Sequence, residues 1–222
     1  LTYSSNYKNN IMPSIILSND KADKILSKIG WSRKKIQERM NRSLKPLSFK
    51  LGKQIINAQI DLIPETTRGA NVVGKIYSGN RKFRDEYIVI GAHFDHLGYG
   101  GKGSGSRTPN NNTIHPGAND NASGTAGLLE LAQKLSSQKS RLKRSIYLIG
   151  FDAEERGLLG AKHFLRSPPI KIDNITTMIN MDMIGRVSDS TFTVSGVGTS
   201  PYFEPLLNSL KKDRLFKLKM NK

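Results

Sequence analysis

Three short segments of the chain are rich in apolar residues, and each ends just before side chains that can bind a metal. The segments are residues 87–92, 145–151 and 176–181. The first two are nearly continuous apolar runs, which predict strands buried on both faces, as in a parallel sheet covered by helices, and the third predicts a further strand. An amphipathic stretch over residues 122–135 separates the first two segments. The order strand, helix, strand predicts βαβ units, and therefore an α/β fold with a mainly parallel mixed sheet flanked by helices.

Polar side chains follow all three predicted strands. His93 follows the first strand, the pair Glu154 and Glu155 follows the second, and Asp182 follows the third. In open parallel sheets, sites form beyond the carboxyl ends of the strands. Imidazole nitrogen and carboxylate oxygen are ligands of catalytic zinc, and the chain contains no cysteine. The pattern therefore predicts a hydrolytic zinc site at this edge of the sheet.

The adjacent carboxylates Glu154 and Glu155 are the most informative pair. Two neighbouring carboxylates repel each other unless a cation or a proton compensates their charge. One of them could bind the metal while the other accepts a proton from the attacking water. The alternative is a solvated acidic start of a helix, which the helix dipole would favour.

Asp95 lies two residues beyond His93. In an extended chain, residues two apart point to the same side, so Asp95 can support the His93 ring and fix its tautomer. His96 is then expected to point elsewhere and not to be a ligand. The alternative for His93 is a strand-end histidine that hydrogen-bonds to a neighbouring carboxylate.

Asp120 follows a loop over residues 97–119 that is rich in Gly, Ser and Asn. Loops of this length without regular structure are often functional, so we expect this one to border the site. A carboxylate such as Asp120 can bridge two cations, although Asp at a helix start is often only an N-cap. Asp182 lies between two methionines and needs a partner for its charge, but it could also cap a turn.

The net charge of +17 comes from separate basic stretches, including residues 33–45, 134–144 and 211–222. Spread charge with only 7% aromatic residues favours solvated basic helix faces over a nucleic-acid surface. Attraction to an anionic cell envelope is the second interpretation. No apolar run is long enough for a membrane-spanning helix, and the absence of cysteine excludes disulfides and thiol nucleophiles.

Four stretches together resemble the di-zinc aminopeptidase family, which includes bacterial leucyl aminopeptidases, glutamate carboxypeptidase II and the transferrin receptor. They read IVIGAHFDHLG, HPGANDNASGT, FDAEERGLLG and NMDMIG, and begin at residues 88, 115, 151 and 180. The likeness covers roughly residues 70–200. It implies a zinc exopeptidase fold of the phosphorylase/hydrolase-like type and a secreted hydrolase.

The resemblance also implies a role for each candidate residue. His93 and Asp182 would bind one zinc ion, and Glu155 would bind the other. Asp120 would bridge the two ions, and the peptide bond after it would be cis. Glu154 would be the general base, and Asp95 would orient His93. The substrate would be a peptide that loses its N-terminal residues.

The family has one further zinc ligand, a histidine nearer the carboxyl terminus. The four histidines of this chain are His93, His96, His115 and His163. His163 lies about 12 Å along a helix from Glu155, so it should point away from the site. The chain is therefore expected to be a fragment, truncated at both ends, that holds at most one zinc ion firmly where a complete domain holds two. Such a fragment would be weak or inactive as a peptidase.

The predicted domains are residues 1–45, which resemble the tail of a protease-associated domain with connecting helices, and residues 46–222, a truncated zinc peptidase domain. Relatives with this layout are exported, so a periplasmic, envelope or extracellular location is expected. Two alternatives for the function are a non-catalytic binding module of the transferrin-receptor type and a single-zinc transferase like glutaminyl cyclase.

Overall fold

The computed structural model describes residues 17–52, 66–210 and 216–221. The helices are α1 (Asn19–Ser27), α2 (Arg33–Ser43), α3 (Ser123–Ser137), α4 (Leu159–Arg166) and α5 (Phe203–Ser209). The strands are β1 (Val72–Ile76), β2 (Tyr87–His93), β3 (Ser145–Phe151), β4 (Ile175–Asn180), β5 (Thr191–Val194) and β6 (Lys217–Met220). Short helical turns occur at Ala118–Ala122, Lys139–Arg141, Ile172–Asn174 and Val197–Thr199.

Residues 17–52 belong to one compact unit, and the described residues from 67 onward belong to another. In the first unit, neither α1 nor α2 contains a buried residue. An ion pair of 2.8 Å between Arg33 and Asp23 joins the two helices. The domain boundary predicted after residue 45 stays a prediction. The sequence of residues 12–18 predicts a short strand, and this segment lies almost wholly outside the described residues.

The second unit contains a four-stranded sheet in the order β1-β3-β2-β4. Strand β2 runs parallel to both β3 and β4, whereas β1 runs antiparallel to β3. The prediction of an α/β fold with a mainly parallel mixed sheet is confirmed. The register places His93 opposite Phe151 and Gly91 opposite Asn180. The carboxyl ends of the three parallel strands therefore meet at one edge.

The central strands β2 and β3 are buried on both faces, whereas the outer strands β1 and β4 are mostly exposed. The cluster on the α3 face consists of Ile76, Ile90, Ala92, Leu128, Ile146 and Leu148. The cluster on the α4 face consists of Tyr87, Val89, Tyr147, Ile149, Phe151 and Phe164. Alternate residues of β2 and β3 serve opposite clusters, which explains why both sequences read as nearly continuous apolar runs.

Two elements differ from the sequence expectation. Residues 157–165 have a helical pattern in the sequence, which predicts a helix from Gly157. Helix α4 begins at Leu159 instead, because the amides of Gly157 and Leu158 first donate to the carbonyl of Glu154 in a turn. Strand β6 lies in a basic stretch with no strong strand pattern, and it forms by pairing in parallel with β5. Among the described residues, no helix combines the length and apolar character needed to cross a membrane.

Candidate metal centre

His93 is the last residue of β2, and its side chain is only 3% exposed. Its Nδ1 lies 3.0 Å from the backbone carbonyl oxygen of Asp95. A carbonyl only accepts hydrogen bonds, so this contact requires the proton on Nδ1 and leaves Nε2 with a lone pair in the neutral ring. The hydroxyl of Thr125 donates to the His93 carbonyl at 3.0 Å and ties the strand end to α3. In the neutral ring, the unprotonated Nε2 of His93 therefore lies at the carboxyl end of β2.

That nitrogen faces carboxylates. Nε2 of His93 lies 3.2 Å from Oδ1 of Asp120 and 3.6 Å from Oδ1 of Asp182. It is buried and has no hydrogen-bond partner among the described residues. Zinc bonds to nitrogen and oxygen of 2.0–2.2 Å place two ligands of a tetrahedral ion about 3.3 Å apart. The donor set and its spacing therefore fit a zinc ion.

Charge in this region is unbalanced without a cation. Burial alone would lower the pKa of His93, but the contact with the Asp95 carbonyl and the charges of Glu154, Asp182 and Asp120 outweigh burial and raise the pKa. The surrounding carboxylates thus favour a positive charge on the imidazole. A metal ion would satisfy the same electrostatic demand.

A second donor group lies beside the first. His96 Nδ1 is 2.7 Å from Oε1 of Glu155 and 3.9 Å from Oδ1 of Asp120. The expectation that His96 points elsewhere is wrong. Strand β2 ends at His93, so the alternation of an extended chain does not continue through the residues that follow.

Together the described residues contain two groups whose ligand atoms lie within 4.8 Å of one another. We call His93, Asp120 and Asp182 the first donor group, and His96, Asp120 and Glu155 the second donor group. Asp120 belongs to both. All four residues expected to bind metal, together with His96, are thus brought to the same edge of the sheet.

Asp95 does more than contact His93. Its carboxylate lies 3.7 Å from Nδ1 of His93, but it also accepts hydrogen bonds from the backbone amides of Glu154 at 2.9 Å and Glu155 at 3.2 Å. Asp95 therefore fixes the turn that carries both glutamates. Sequence reasoning could not find this contact, because it joins residues that lie 59 and 60 positions apart.

Glu154 belongs to neither donor group. Its Oε2 lies 4.0 Å from Nε2 of His93. Burial raises the pKa of Glu154; the His93 charge opposes this, and the charges of Glu155, Asp182 and Asp95 add to it. A carboxylate whose pKa is raised, and which belongs to neither donor group, is suited to accept a proton.

Asn121 is a structural residue of the site that the sequence reasoning missed. The peptide bond between Asp120 and Asn121 is cis, as the resemblance implied. The Asn121 side chain is 2% exposed. It donates to the Met181 carbonyl at 3.0 Å and accepts from the amides of Gly124 at 3.0 Å and Met183 at 3.2 Å. Asn121 thus connects the start of α3 to both neighbours of Asp182.

Gly124 permits this connection. A Cβ atom at Gly124 would lie 2.5 Å from the Met181 carbonyl oxygen, closer than such atoms approach. The start of α3 can therefore lie against the end of β4 only with glycine at this position.

The remaining histidines lie outside both donor groups. His163, on α4, lines a different cavity together with Asn71 and Phe164. The ring of His115 lies 6.2 Å from that of His96, centre to centre. A cavity of about 200 Å³ adjoins the first donor group and is lined by His93, Glu154, Asp182, Phe151, Leu158, Ala161, Met178 and Asn180.

Comparison with known proteins identifies the family. The model of peptidase family M28 matches residues 71–220, which include every residue of both donor groups. The chain belongs to peptidase family M28. The sequence resemblance to zinc aminopeptidases is thereby confirmed at the level of the family.

Relatives of this M28 chain include an aminopeptidase of Pseudomonas aeruginosa, which is 29% identical over 71% of the chain. The Mycobacterium tuberculosis protein named "Probable lipoprotein aminopeptidase LpqL" is 26% identical over 71% of the chain. The chain spans only 26% and 28% of the length of these two proteins. The solved aminopeptidase from Aneurinibacillus sp. strain AM-1 is 29% identical, with a TM-score of 0.45, over 59% of this chain and 28% of that one.

Proposed function

We propose that the protein to which this chain belongs is a zinc-dependent exopeptidase that removes N-terminal amino acids from peptides. The observation that carries the proposal is the convergence of two nitrogen-and-oxygen donor groups beside a carboxylate that belongs to neither. Membership of family M28 and the relatives named as aminopeptidases support it.

His93 and Asp182 would hold one zinc ion, Glu155 would hold a second, and Asp120 would serve both. Zinc in such a site polarises a carbonyl oxygen and lowers the pKa of water. Glu154 would accept the proton of the attacking water and pass it to the leaving amine, since its carboxylate faces His93 Nε2 without belonging to either donor group.

The cavity beside Glu154 supports a preference for an apolar terminal side chain. Its polar side is formed by His93, Glu154 and Asp182, and its apolar side includes Phe151 and Met178. A side chain held against the apolar wall would place the adjoining peptide bond near the carboxylates. Acidic side chains would be repelled by the same carboxylates.

We also propose that the parent protein is exported. The lipoprotein relative supports this location, and the charge of +17 would suit contact with an anionic cell envelope. The assignment of residues 1–45 to the tail of a protease-associated domain belongs to the same proposal.

The proposal is tested by assaying the zinc-loaded chain and its parent protein on apolar amino-acid anilides and on acidic dipeptides. We expect release of the anilide in preference to cleavage of the acidic dipeptide. Glu154→Gln should keep its zinc and lose about 10²–10⁴-fold in turnover, because it cannot accept the proton. Glu130→Gln, on the exposed surface of α3, is the matched control. Turnover retained by Glu154→Gln would contradict the assignment of the base.

A further inference from the structure

A strongly basic surface lies at the end of the sheet opposite the two donor groups. It is formed by residues 77–86, which lead into β2, and residues 138–144, which lead into β3. We call these two segments the basic pole. They contain seven basic and two acidic residues, a net charge of +5 over 17 residues. The basic residues are Arg81, Lys82, Arg84, Lys139, Arg141, Lys143 and Arg144.

Hydrogen bonds hold the two segments of the basic pole together. The amide of Ser78 donates to the Ser145 hydroxyl at 3.1 Å, and that hydroxyl donates to the Arg84 carbonyl at 2.6 Å. Both serines are buried. The amide of Gly79 donates to the Lys139 carbonyl at 3.3 Å. The basic side chains therefore extend from one supported surface and not from two independent loops.

Most of the charge of the basic pole is exposed and uncompensated within it. Six of the seven cations are exposed, and Arg144 is half-buried. Arg144 forms the only ion pair recorded within the basic pole, all of whose residues are described, and its partner is Glu86 at 2.7 Å. Like charges held this close favour a bound anion, because each disfavours the charged form of its neighbours.

Two aromatic rings are interleaved with these cations. The ring of Tyr77, which is 56% exposed, lies 4.3 Å from the Lys75 ammonium and 5.7 Å from the Arg84 guanidinium. The ring of Phe83 lies 5.2 Å and 5.3 Å from two further cations of the basic pole. Nucleic-acid binding uses aromatic rings to stack on bases, and here the rings already contact the chain's own cations. An exposed tyrosine beside cations is instead typical of a membrane–water interface.

We infer that the basic pole binds the phosphate groups of an anionic phospholipid membrane. Clusters of roughly 4–8 Lys and Arg residues are typical of surfaces that attach to anionic lipids. Strand β2 runs from the basic pole to His93 over seven residues, about 20 Å at about 3.3 Å per residue. With the basic pole against a membrane, both donor groups lie at the far end of the sheet. The inference goes beyond the proposed envelope location, because it assigns the contact to one surface and one partner.

Co-sedimentation with lipid vesicles is the first test. We expect the chain to bind vesicles of phosphatidylcholine that contain phosphatidylglycerol and not vesicles of phosphatidylcholine alone. Added salt should weaken the binding, because it screens the charges. The triple variant Arg81→Gln, Lys139→Gln, Arg141→Gln should bind about 100-fold more weakly, since each basic residue near an anionic surface contributes about 5-fold.

A matched triple variant separates the basic pole from total charge. Lys34→Gln, Lys35→Gln, Arg42→Gln removes the same charge from exposed positions of α2. It should bind anionic vesicles nearly as tightly as the unmodified chain. Equal losses in the two triple variants would mean that total charge drives binding, and would overturn the inference.

The second test uses the unmodified chain, so it does not depend on whether a variant folds. Vesicles containing phosphatidylglycerol should slow amide hydrogen exchange in residues 77–86 and 138–144 and leave exchange around Asp120 unchanged. Protection of other segments in place of these two overturns the inference. So does a single-stranded DNA that protects the same segments and displaces the chain from vesicles at an equal concentration of phosphate.

These outcomes are separate from those of the proposed function, because hydrolysis of a soluble peptide does not involve the basic pole. If peptides are hydrolysed and anionic vesicles are not bound, the inference fails and the proposed function stands. If vesicles are bound through the basic pole and neither the chain nor its parent hydrolyses any peptide, the proposed function fails and the inference stands.

Discussion

The two donor groups share Asp120 but are built on different supports. In the first donor group, His93 belongs to the buried central strand β2 and its side chain is 3% exposed. In the second donor group, His96 lies in the loop after that strand and its side chain is 21% exposed. The sheet therefore positions the histidine of the first donor group, whereas contacts between loops position the histidine of the second donor group.

The two candidate metal sites at this edge of the sheet therefore differ in rigidity. A ligand whose backbone lies in a buried ladder is already ordered before the ion arrives. A ligand on a loop must be ordered by neighbouring contacts, here those of Gly117 and Asp95. We therefore expect the first donor group to bind zinc more tightly than the second. The predictions below test this, beginning with the shared residue.

Asp120→Ala should have the largest effect, because it removes a ligand from both groups. We expect both ions to be lost and turnover to fall by about 10³-fold or more, as for removal of a group that stabilises the transition state. Bound zinc per chain and anilide hydrolysis measure this. Asp173→Ala, in an exposed turn, is the control. Two tightly bound ions in Asp120→Ala would show that the groups do not share this ligand.

Asn121→Ala should damage the first donor group. The variant leaves the buried amide of Gly124 and the partly buried amide of Met183 without their acceptor beside Asp182. Each unpaired buried group costs about 1–3 kcal/mol, so we expect the free energy of unfolding to fall by about 3 kcal/mol. Urea denaturation measures it, and the tighter zinc ion should weaken as well. Asn208→Ala, exposed on α5, should leave both quantities unchanged.

Asp95→Asn should damage the second donor group more than the first. An amide oxygen replaces only one of the two carboxylate oxygens that accept from Glu154 and Glu155. Loss of a residue that orients ligands weakens metal binding by about 10–100-fold, and we expect this loss for the weaker ion. Competition with a zinc chelator measures both affinities.

Asp152→Asn is a matched control for that variant. The Asp152 carboxylate also accepts two backbone amides, from Ala70 and Ala153, but it belongs to neither donor group. It should lower stability without weakening either ion. Equal loss of zinc in both variants would contradict the specific role of Asp95.

Thr125→Val should have the smallest effect. It removes one hydroxyl that donates to the carbonyl of His93, while β2 keeps the strand in place. We expect a fall of about 1 kcal/mol in the free energy of unfolding and less than about 3-fold change in zinc affinity. Thr193→Val, exposed on β5, is the control. A larger loss of zinc would mean that the sheet alone does not position His93.

Much of this site could be predicted from local sequence. The apolar runs of β2 and β3 indicated buried strands, and parallel strands align their carboxyl ends, so His93 and the two glutamates had to lie near each other. The position of Asp182 could be predicted by the same argument, because it follows β4, which also runs parallel to β2. The roles of these residues as ligands and base stay predictions until metal is measured.

Other features depended on contacts that no local pattern encodes. His96 was misplaced, because the alternation rule was applied beyond the end of β2. The hydrogen bonds of Asn121 with Met181 and Met183, and those of the Asp95 carboxylate, cross 59 or more positions of the chain. Strand β6 could not be predicted from its own sequence, because it forms only by pairing with β5.

The sequence by itself determined the buried parallel strands and the chemistry at their ends, because side-chain polarity and period are local properties. The tertiary structure decided which imidazole faces which carboxylate. That choice depends on how chain segments leave the sheet and on close approaches such as Gly117 to His96, which exist only after the loops have packed.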